Sequence, residues 1–239
     1  MRSSLKEIIM TVDTSGSDEY QSKPFYQIWI DAVSKPNLAN FTEIVNDPNA
    51  SLGTALLWLA GVGFLGSLIS GTLQSIFGVN AAVYELLGTE YSTTTSFIGV
   101  IGGAFGSLIF TPLVAMVIVG LMHLVSRALG GDGSFEKMLF GFAAFWVPIS
   151  LVNALIGSIP VIGCLSFVLS IYALVLNVFA NQAVYGYDTG KAVISSVGVP
   201  VLIFVVLFAC IIVLVIMGVA VSAPFLENFA DQFGMLLFT

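Results

Sequence analysis

Charged side chains are scarce in this sequence. Only 9% of its 239 residues are Asp, Glu, Lys or Arg, and 57% are hydrophobic, whereas soluble domains carry about 25% charged residues. Four intervals contain no charged residue at all: 48–84, 91–126, 138–187 and 192–226. A helix needs about 20 apolar residues to cross a hydrocarbon core. The composition therefore excludes a soluble globular domain and predicts an integral membrane protein.

Histidine and cysteine are nearly absent as well. One His and two Cys are too few for a disulfide framework or for a Cys/His metal site. The segment 186–192 superficially resembles a phosphate-binding loop, but three residues separate its glycines where four are required. No GxSxG or HExxH motif occurs. We expect no enzymatic activity, no cofactor, no metal and no nucleic-acid partner.

The charge-free intervals set the number of membrane spans. The interval 138–187 is too long for one crossing, and the Gly157–Pro160 stretch offers a break in its middle. The fold class that follows is all-α: a polytopic membrane protein built as a five-transmembrane-helix bundle, with short interfacial amphipathic helices at both ends. The predicted spans are 52–76, 97–126, 138–157, 160–182 and 192–220.

Basic residues predict the orientation. With five spans, all the cations fall on the side of the N-terminus: Arg2, Lys6, Lys23, Lys35, Arg127, Lys137 and Lys191. Orientation follows Lys and Arg and largely ignores Asp and Glu, so the net charge of −7 does not decide it. Four or six spans would scatter the cations over both sides. The N-terminus is expected in the cytoplasm and the C-terminus outside.

Two amphipathic helices are predicted in the cytoplasmic N-terminal segment, residues 1–47. The first, Pro24 to Lys35, places Phe25, Trp29, Ala32 and Val33 on one face and Gln27, Asp31 and Lys35 away from it. The second runs from Leu38 to Val45. Both suit the membrane interface, where aromatic rings lie at headgroup level. Packing against their own protein is the alternative, and Trp29 is a candidate interaction residue in either case.

An apolar stripe marks the tail, residues 222–239, which follows the membrane domain at 48–221. Phe225, Phe229 and Phe233 recur at every fourth residue, opposite Glu227 and Asp231. This spacing predicts a helix that lies in the outer membrane interface or docks on another protein. Docking is favoured because anionic headgroups would repel the two carboxylates.

A glycine-rich loop separates the second and third predicted spans. Its glycines are expected to supply left-handed dihedrals that end one helix and reverse the chain. The serine is placed to cap the next helix, and the lysine marks the cytoplasmic side. The residues of this structural loop are Gly130, Gly131, Gly133, Ser134 and Lys137.

Small residues recur at helical spacing in the first two spans. Helices in lipid associate closely where small residues let their backbones approach. We expect these faces to form contacts within the bundle, with a homo-oligomer interface as the alternative. The residues are Gly63, Ser67, Gly71, Gly99 and Gly103.

Few polar groups lie at membrane depth. Asn153, Asn177, Asn181 and Gln182 are predicted to form hydrogen bonds between helices. His123 is predicted to form a hydrogen bond at the interface, with proton handling as the alternative. No carboxylate or cation is expected mid-membrane, which argues against an ion-coupled transporter.

Several of these motifs together resemble the Yip (Rab-interacting) family of five-span membrane proteins. They are the end of the second span at His123, the loop 129–137, Pro148 in the third span, and the stretch Ala180 to Ala192. The resemblance covers roughly residues 40–215 and implies the same five-span topology with the N-terminus inside. Eukaryotic relatives are implied to act in vesicle traffic with Rab GTPases. This chain lacks their longer cytoplasmic domain and is more similar to short bacterial members, which implies a bacterial cytoplasmic membrane.

We therefore expect a non-enzymatic membrane protein that acts by protein–protein or protein–lipid interaction, as a membrane-organising or accessory subunit. Its expected partners are membrane lipids and other integral membrane proteins, including further copies of itself. A small transporter or pore-forming subunit is the alternative. The two differ in the bundle interior, because a conduit needs a continuous polar lining.

Overall fold

A computed structural model describes residues 22–77, 93–159, 162–203, 205–206, 208–210 and 212–213. Within these ranges the regular elements are helical. Two short helices are followed by five long ones, which are apolar enough to cross a membrane. The helices are α1 (Phe25–Ser34), α2 (Leu38–Val45), α3 (Leu52–Ile76), α4 (Thr93–Ala128), α5 (Phe135–Ile156), α6 (Leu165–Tyr185) and α7 (Thr189–Cys210). The predicted all-α class and the five spans are confirmed.

The sequence sets several helix ends. Asn37 begins α2 by accepting a hydrogen bond from the backbone of Asn40 at 2.9 Å. Ser134 begins α5 in the same way, accepting from the backbone N–H of Lys137 at 3.3 Å, as predicted. Gly186 ends α6 with φ +66°, a left-handed conformation that glycine adopts without steric cost.

Helix α5 lies at the centre of the bundle. Half of its most apolar stretch is buried, against 17% for α3, α4 and the span that contains α6. Every residue from Met138 to Phe145 is buried. On one side α5 contacts α3, which pairs along its length with α4, and on another side it contacts α6. The sites described below are therefore organised around α5.

Helices α1 and α2 pack against α5 and α6. Ile28, Phe41 and Ile44 are almost completely buried, and the Phe41 ring lies 6.2 Å from that of Phe145 in α5. The hydroxyl of Tyr172 in α6 donates to the carbonyl of Val33 at 2.5 Å. Of the two interpretations of these helices, packing against their own protein is what the structure shows.

The predicted apolar face of α1 is partly correct. Ala32 is fully buried and Val33 packs against the core. The prediction was wrong for Phe25, which is 54% exposed, and for Asp31, which was predicted to lie away from this face and is only 4% exposed. The helix tolerates a buried Asp31 because two lysines neutralise its carboxylate, as described below.

The small residues of the first two spans fall into two groups. A side chain at Gly63 would lie 2.7 Å from the carbonyl of Ser107, and one at Gly71 would lie 2.9 Å from Val100, so both glycines permit close contact of α3 with α4. At Gly99 and Gly103 an added Cβ would meet no described atom within 4 Å. These two glycines lie on an open face of α4.

Candidate functional site

The short loops 46–51, 129–134 and 186–188 meet at one end of the bundle, which we call the loop end. Lys137 donates to the Asn46 side chain at 2.5 Å, and Glu136 accepts from the backbone N–H of Leu52 at 2.8 Å. These bonds connect the start of α5 to the segment that precedes α3. The cations of the described residues belong to this end: Lys23, Lys35, Arg127, Lys137 and Lys191.

The loop glycines do not share one role. Gly130 has φ +89°, the left-handed conformation that was predicted. The same prediction for Gly131 and Gly133 was wrong, since neither has a positive φ. A Cβ at Gly131 would lie 2.8 Å from Cβ of Tyr185, and one at Gly133 would lie 2.7 Å from Cδ1 of that tyrosine. These two glycines are needed because the loop passes close to the end of α6.

Two stacked tyrosines lie under this loop. The rings of Tyr185 and Tyr187 are nearly parallel, with centroids 5.6 Å apart. The Tyr185 hydroxyl lies 2.6 Å from Nδ1 of His123, so the predicted hydrogen bond of the single histidine is present. Burial raises the pKa of Tyr187, although hydrogen bonds from Ser126 and Ser195 partly oppose this. Tyr187 is therefore a neutral hydrogen-bonding group across the physiological pH range.

Beneath the tyrosines lies a buried hydrogen-bonded group that we call the serine–asparagine cluster. Ser126 of α4 donates to Oδ1 of Asn181 in α6 at 3.1 Å and lies 2.7 Å from the Ser195 hydroxyl in α7. Asn181 donates to Ser196 at 2.7 Å and accepts from Tyr187 at 2.8 Å. The cluster consists of Ser126, Asn177, Asn181, Ser195 and Ser196. It joins α4, α6 and α7 through uncharged groups. The predicted hydrogen bonds of Asn177 and Asn181 between helices are therefore present.

Helices α1 and α2, together with Lys23, form a unit that we call the platform. Asp31 contacts Nζ of Lys35 at 2.8 Å and Nζ of Lys23 at 3.0 Å. Lys23 also contacts Glu43 at 2.9 Å, which ties α1 to α2. Asn40 donates its side-chain amide to the backbone carbonyls of Asp31 and Lys35 at 2.9 and 3.0 Å. The platform is thus held together by buried charge and backbone hydrogen bonds.

These contacts determine the pKa values in the platform. Burial by itself would raise the pKa of Asp31, but hydrogen bonds from Lys35 and Lys23 outweigh it and hold the pKa below its usual value. For Lys23, burial would lower the pKa, but the hydrogen bonds to Glu43 and Asp31 raise it above its usual value. Both groups are therefore charged at neutral pH.

An exposed apolar face lies on the outer side of the platform. Its members are more than 40% exposed: Phe25, Tyr26, Ile30 and Leu38. Trp29, the candidate interaction residue, is partly buried, with its ring 5.5 Å from that of Trp58 in α3, and its interaction role stays a prediction. Of the four residues of this outward face, only Phe25 belonged to the predicted apolar face of α1.

A polar cleft lies near the opposite end, between α3, α4 and α5. It has a volume of about 360 Å³ and is lined by uncharged polar side chains that include Ser67, Gln74, Thr111 and Asn153. Oδ1 of Asn153 is buried and has no hydrogen-bond partner, so its predicted bond between helices is not present through that atom. Gln182 in α6 donates to the hydroxyl of Thr189 at the start of α7 at 2.8 Å, which is the predicted hydrogen bond between helices.

A layer of apolar side chains separates the polar cleft from the serine–asparagine cluster. It is formed by buried residues from α3, α4 and α5 that include Leu59, Ala115, Val119, Phe142 and Phe145. In the part of the chain that the structure describes, the two polar regions thus do not form one continuous lining.

Among the described residues, no group of three or more His, Cys, Asp or Glu side chains is arranged to hold a metal ion.

The three phenylalanines of the tail, Phe225, Phe229 and Phe233, lie outside the described residues. Their predicted stripe, whether it docks on a protein or lies in the membrane interface, stays a prediction.

Comparison with known protein families identifies the family of this chain. The model of the Yip1 domain matches residues 30–220, a range that contains most of the platform, all five spans and the loop end. No curated protein and no solved structure matches the chain. The resemblance inferred from the loop 129–137 and the later stretch is confirmed, and the match extends over well more than half of the chain. This protein belongs to the Yip1 domain family.

Proposed function

We propose that this protein is a non-enzymatic accessory or membrane-organising subunit that works by binding other membrane proteins and lipids through the outward face of its platform. The observation that carries the proposal is the exposure of Phe25, Tyr26 and Ile30, each more than 50% exposed, on a helix that is otherwise fixed to the bundle. Aromatic and aliphatic side chains of this kind are typical anchors of interfaces.

The rigidity of the platform supports a binding role. Binding is weaker when a surface must be ordered on association, and a pre-organised surface avoids that cost. Here Asp31 is tied to Lys23 and Lys35, and Tyr172 of α6 holds the end of α1. The outward face is therefore presented in one orientation relative to the spans.

The proposal places the loop end in the cytoplasm of a bacterial cell, with the protein in the cytoplasmic membrane. Its support is the cation pattern, since the described cations belong to one end of the bundle and such residues favour the cytoplasmic side. The outward face would then lie at the level of the inner-leaflet headgroups, where aromatic residues are enriched.

A transport function has less support in the bundle interior. The polar cleft between α3, α4 and α5 is separated from the serine–asparagine cluster by apolar side chains, among them Phe142 and Phe145. No described cation or carboxylate lies in the middle of a span. A binding role needs neither a continuous polar lining nor a charged side chain in the middle of a span.

The test is co-purification of the full-length protein in a mild detergent, with the associated proteins and lipids identified by mass spectrometry. A triple variant, Phe25→Ala, Tyr26→Ala and Ile30→Ala, is expected to lose an associated protein that the wild type retains. The matched control replaces three exposed residues of the spans: Leu57→Ala, Val114→Ala and Val117→Ala. Retention of every associated protein by the platform variant would contradict the proposal.

The tail can be tested in the same experiment. Deletion of residues 224–239 is expected to leave the five-span domain folded and to release a partner if the stripe docks on protein. If the truncated protein keeps all partners, the stripe is a lipid-surface helix and the docking interpretation is wrong.

A further inference from the structure

The turn between α1 and α2 lies far from the loop end. Distances along the spans follow from the rise of an α-helix, which is about 1.5 Å per residue. The hydroxyl of Tyr172 donates to the carbonyl of Val33, near the end of α1. Tyr172 precedes Tyr185, the last residue of α6, by 13 residues, which places it about 20 Å from the loop end. The end of α1 therefore lies beside the middle of α6.

Helix α2 runs back toward the loop end. The ring of Phe41 lies 6.2 Å from that of Phe145 in α5 and 6.5 Å from that of Phe179 in α6. These two partners lie about 15 and 9 Å from the loop end by the same measure. Val45, the last residue of α2, has its Cγ1 3.0 Å from the position of a Cβ at Gly141, which lies about 9 Å from that end. The platform thus lies alongside the spans, with its turn farthest from the loop end.

The spans beside the platform have no length to spare. Helix α5 has 22 residues and α6 has 21, so each is about 32 Å long. The hydrocarbon core of a bilayer is about 30 Å thick. Neither helix can cross that core and also carry the whole platform outside it. The turn of the platform, residues 35–37, therefore lies near the middle of the bilayer.

The charged side chains of the platform suit this position because they balance one another. Asp31 pairs with the ammonium groups of Lys23 and Lys35 at 3.0 and 2.8 Å. Glu43 pairs with Lys23 at 2.9 Å. Lys35 lies at the turn, but its ammonium reaches back to Asp31, one helical turn nearer the loop end, as long lysine side chains do in membranes. Charges within a membrane are tolerated where they pair in this way.

The outward face of the platform extends from the loop end to the turn. Phe25 and Tyr26 begin α1, Ile30 lies one helical turn farther along it, and Leu38 directly follows the turn. All four side chains are exposed. Apolar side chains are costly to expose to water, whereas at hydrocarbon depth the neighbours that they meet are acyl chains.

We propose that the platform is a re-entrant hairpin, which enters the membrane from the loop end, turns near the mid-plane and returns. Ile30 and Leu38 lie against the acyl chains of the leaflet at that end, and Phe25 and Tyr26 stay at headgroup level. This inference rests on the binding role proposed above for the outward face, and it names lipid acyl chains as the partner of the deeper part of that face.

The test measures the depth of single spin labels by electron paramagnetic resonance. Full-length protein with both native cysteines replaced carries one label, at Tyr26→Cys, Ile30→Cys or Leu38→Cys, in vesicles of phosphatidylcholine and phosphatidylglycerol. Two relaxation agents are compared: oxygen, which concentrates in the hydrocarbon, and a water-soluble nickel chelate. Because the three side chains are exposed, the labels do not disturb the packing of the platform.

Two labelled positions serve as controls. Val117 is exposed and lies 11 residues before the end of α4, about 17 Å from the loop end. Asp132 is fully exposed in the loop 129–134. Access of the nickel chelate is expected to fall, and access of oxygen to rise, in the order Tyr26, Ile30, Leu38. The label at Leu38 should match the one at Val117.

Three results would overturn the inference. Labels at Ile30 and Leu38 that the nickel chelate reaches as readily as Asp132 would place the hairpin in water. Equal depth of all three platform labels would show a hairpin that lies flat at the interface. Protection of Ile30 and Leu38 from both agents would show that a second copy of the chain, and not lipid, covers them.

Co-purification decides the proposed function separately. If the depth order is found but the platform triple variant keeps every associated protein, the re-entrant hairpin stands and the protein-binding role fails. If the depth order is absent but that variant loses an associated protein, the binding role stands and the re-entrant hairpin fails.

Discussion

Removing the charge of Asp31 is expected to loosen the platform. Asn has the same size as Asp, so Asp31→Asn changes little but the charge. The carboxylate is 6% exposed and lies 2.8 Å from Lys35 and 3.0 Å from Lys23. Neither lysine would be left stranded, because Lys35 is 58% exposed and Lys23 retains Glu43 at 2.9 Å. The variant therefore loses favourable hydrogen bonds without creating a buried unpaired charge.

The expected loss of stability depends on whether a substitution leaves a buried charge unpaired or only removes hydrogen bonds. Stranding a buried charge costs about 3–5 kcal/mol, whereas a hydrogen bond to a charged group contributes about 1.5–3 kcal/mol. The contact with the exposed Lys35 adds only about 0.3–0.5 kcal/mol, the usual value for such a pair within a helix. We expect Asp31→Asn to lower the stability of the platform by about 2 kcal/mol. Glu43→Gln, the control, removes a half-exposed partner of Lys23 and should cost less than about 1 kcal/mol.

Tryptophan fluorescence provides the assay. Trp29 stacks edge-on against Trp58 with ring centroids 5.5 Å apart, so release of α1 from the bundle exposes Trp29 to water. Denaturant titration in mild detergent, with iodide quenching as the readout, measures that release before the spans unfold. Trp146→Phe removes the third tryptophan as background. Equal shifts for Asp31→Asn and Glu43→Gln would refute the claim that the buried carboxylate holds the platform.

The pH dependence of the platform's stability follows from the pKa values of Asp31 and Lys23. The pKa of folded Asp31 is lowered, so its contribution is present above the unfolded value of about 3.9 and is lost as pH falls through the folded pKa. The pKa of Lys23 is raised, so its contribution is present below about 10.4 and is lost only as pH rises through the folded value. The contribution of these two groups should thus be constant from pH 5 to 9. A transition near neutral pH that Asp31→Asn abolishes would contradict this.

Four further substitutions test the packing by thermal unfolding in detergent. Gly131→Ala should destabilise by about 1–3 kcal/mol, because its Cβ would meet Tyr185 at 2.8 Å; a neutral result would remove the close-approach explanation. Gly63→Ala should cost a similar amount, whereas Gly103→Ala, in open space, should be neutral or stabilising by up to about 1 kcal/mol. Tyr187→Phe removes a hydroxyl bonded to the serine–asparagine cluster and should cost about 1 kcal/mol.

Hydropathy and local stop signals predicted most of the architecture. The span 52–76 coincides with α3, and the two short helices end within a residue of the predicted bounds at Lys35 and Val45. These features are encoded by neighbouring residues: charge-free runs for the spans, a proline that ends α1, and the Asn37 cap of α2. Local chemistry determines them, so the sequence is sufficient.

The burial of Asp31 and the role of the loop glycines depend on contacts that a helical pattern or a turn pattern does not show. Asp31 is buried because Lys23 reaches it from before the helix, and a helical pattern that treats every carboxylate as solvent-facing misses this. Gly131 is constrained by Tyr185, which lies at the end of another span. A glycine in a turn can be required by a left-handed dihedral or by the close approach of another segment. Only the tertiary contact with Tyr185 shows that the second cause applies to Gly131.

The predicted hydrogen bonds between helices depend on packing as well. They are present for Asn177, Asn181 and Gln182, which reach Ser196 and Thr189 in α7. For Asn153 the side-chain oxygen is buried without a hydrogen-bond partner. The sequence identifies the polar residues of the spans, but only the packing of the helices decides which of them find a partner.

The most direct test of the five-span arrangement with a cytoplasmic loop end is thiol labelling in intact cells. Asp132 has a fully exposed side chain at the loop end, and the native Cys164 is exposed at the other end, just before α6. With Cys210 replaced by Ala, Cys164 is expected to react with a membrane-impermeant maleimide. The Asp132→Cys variant, with both native cysteines replaced, should react only after the membrane is permeabilised. Labelling of that variant from outside intact cells would contradict the account.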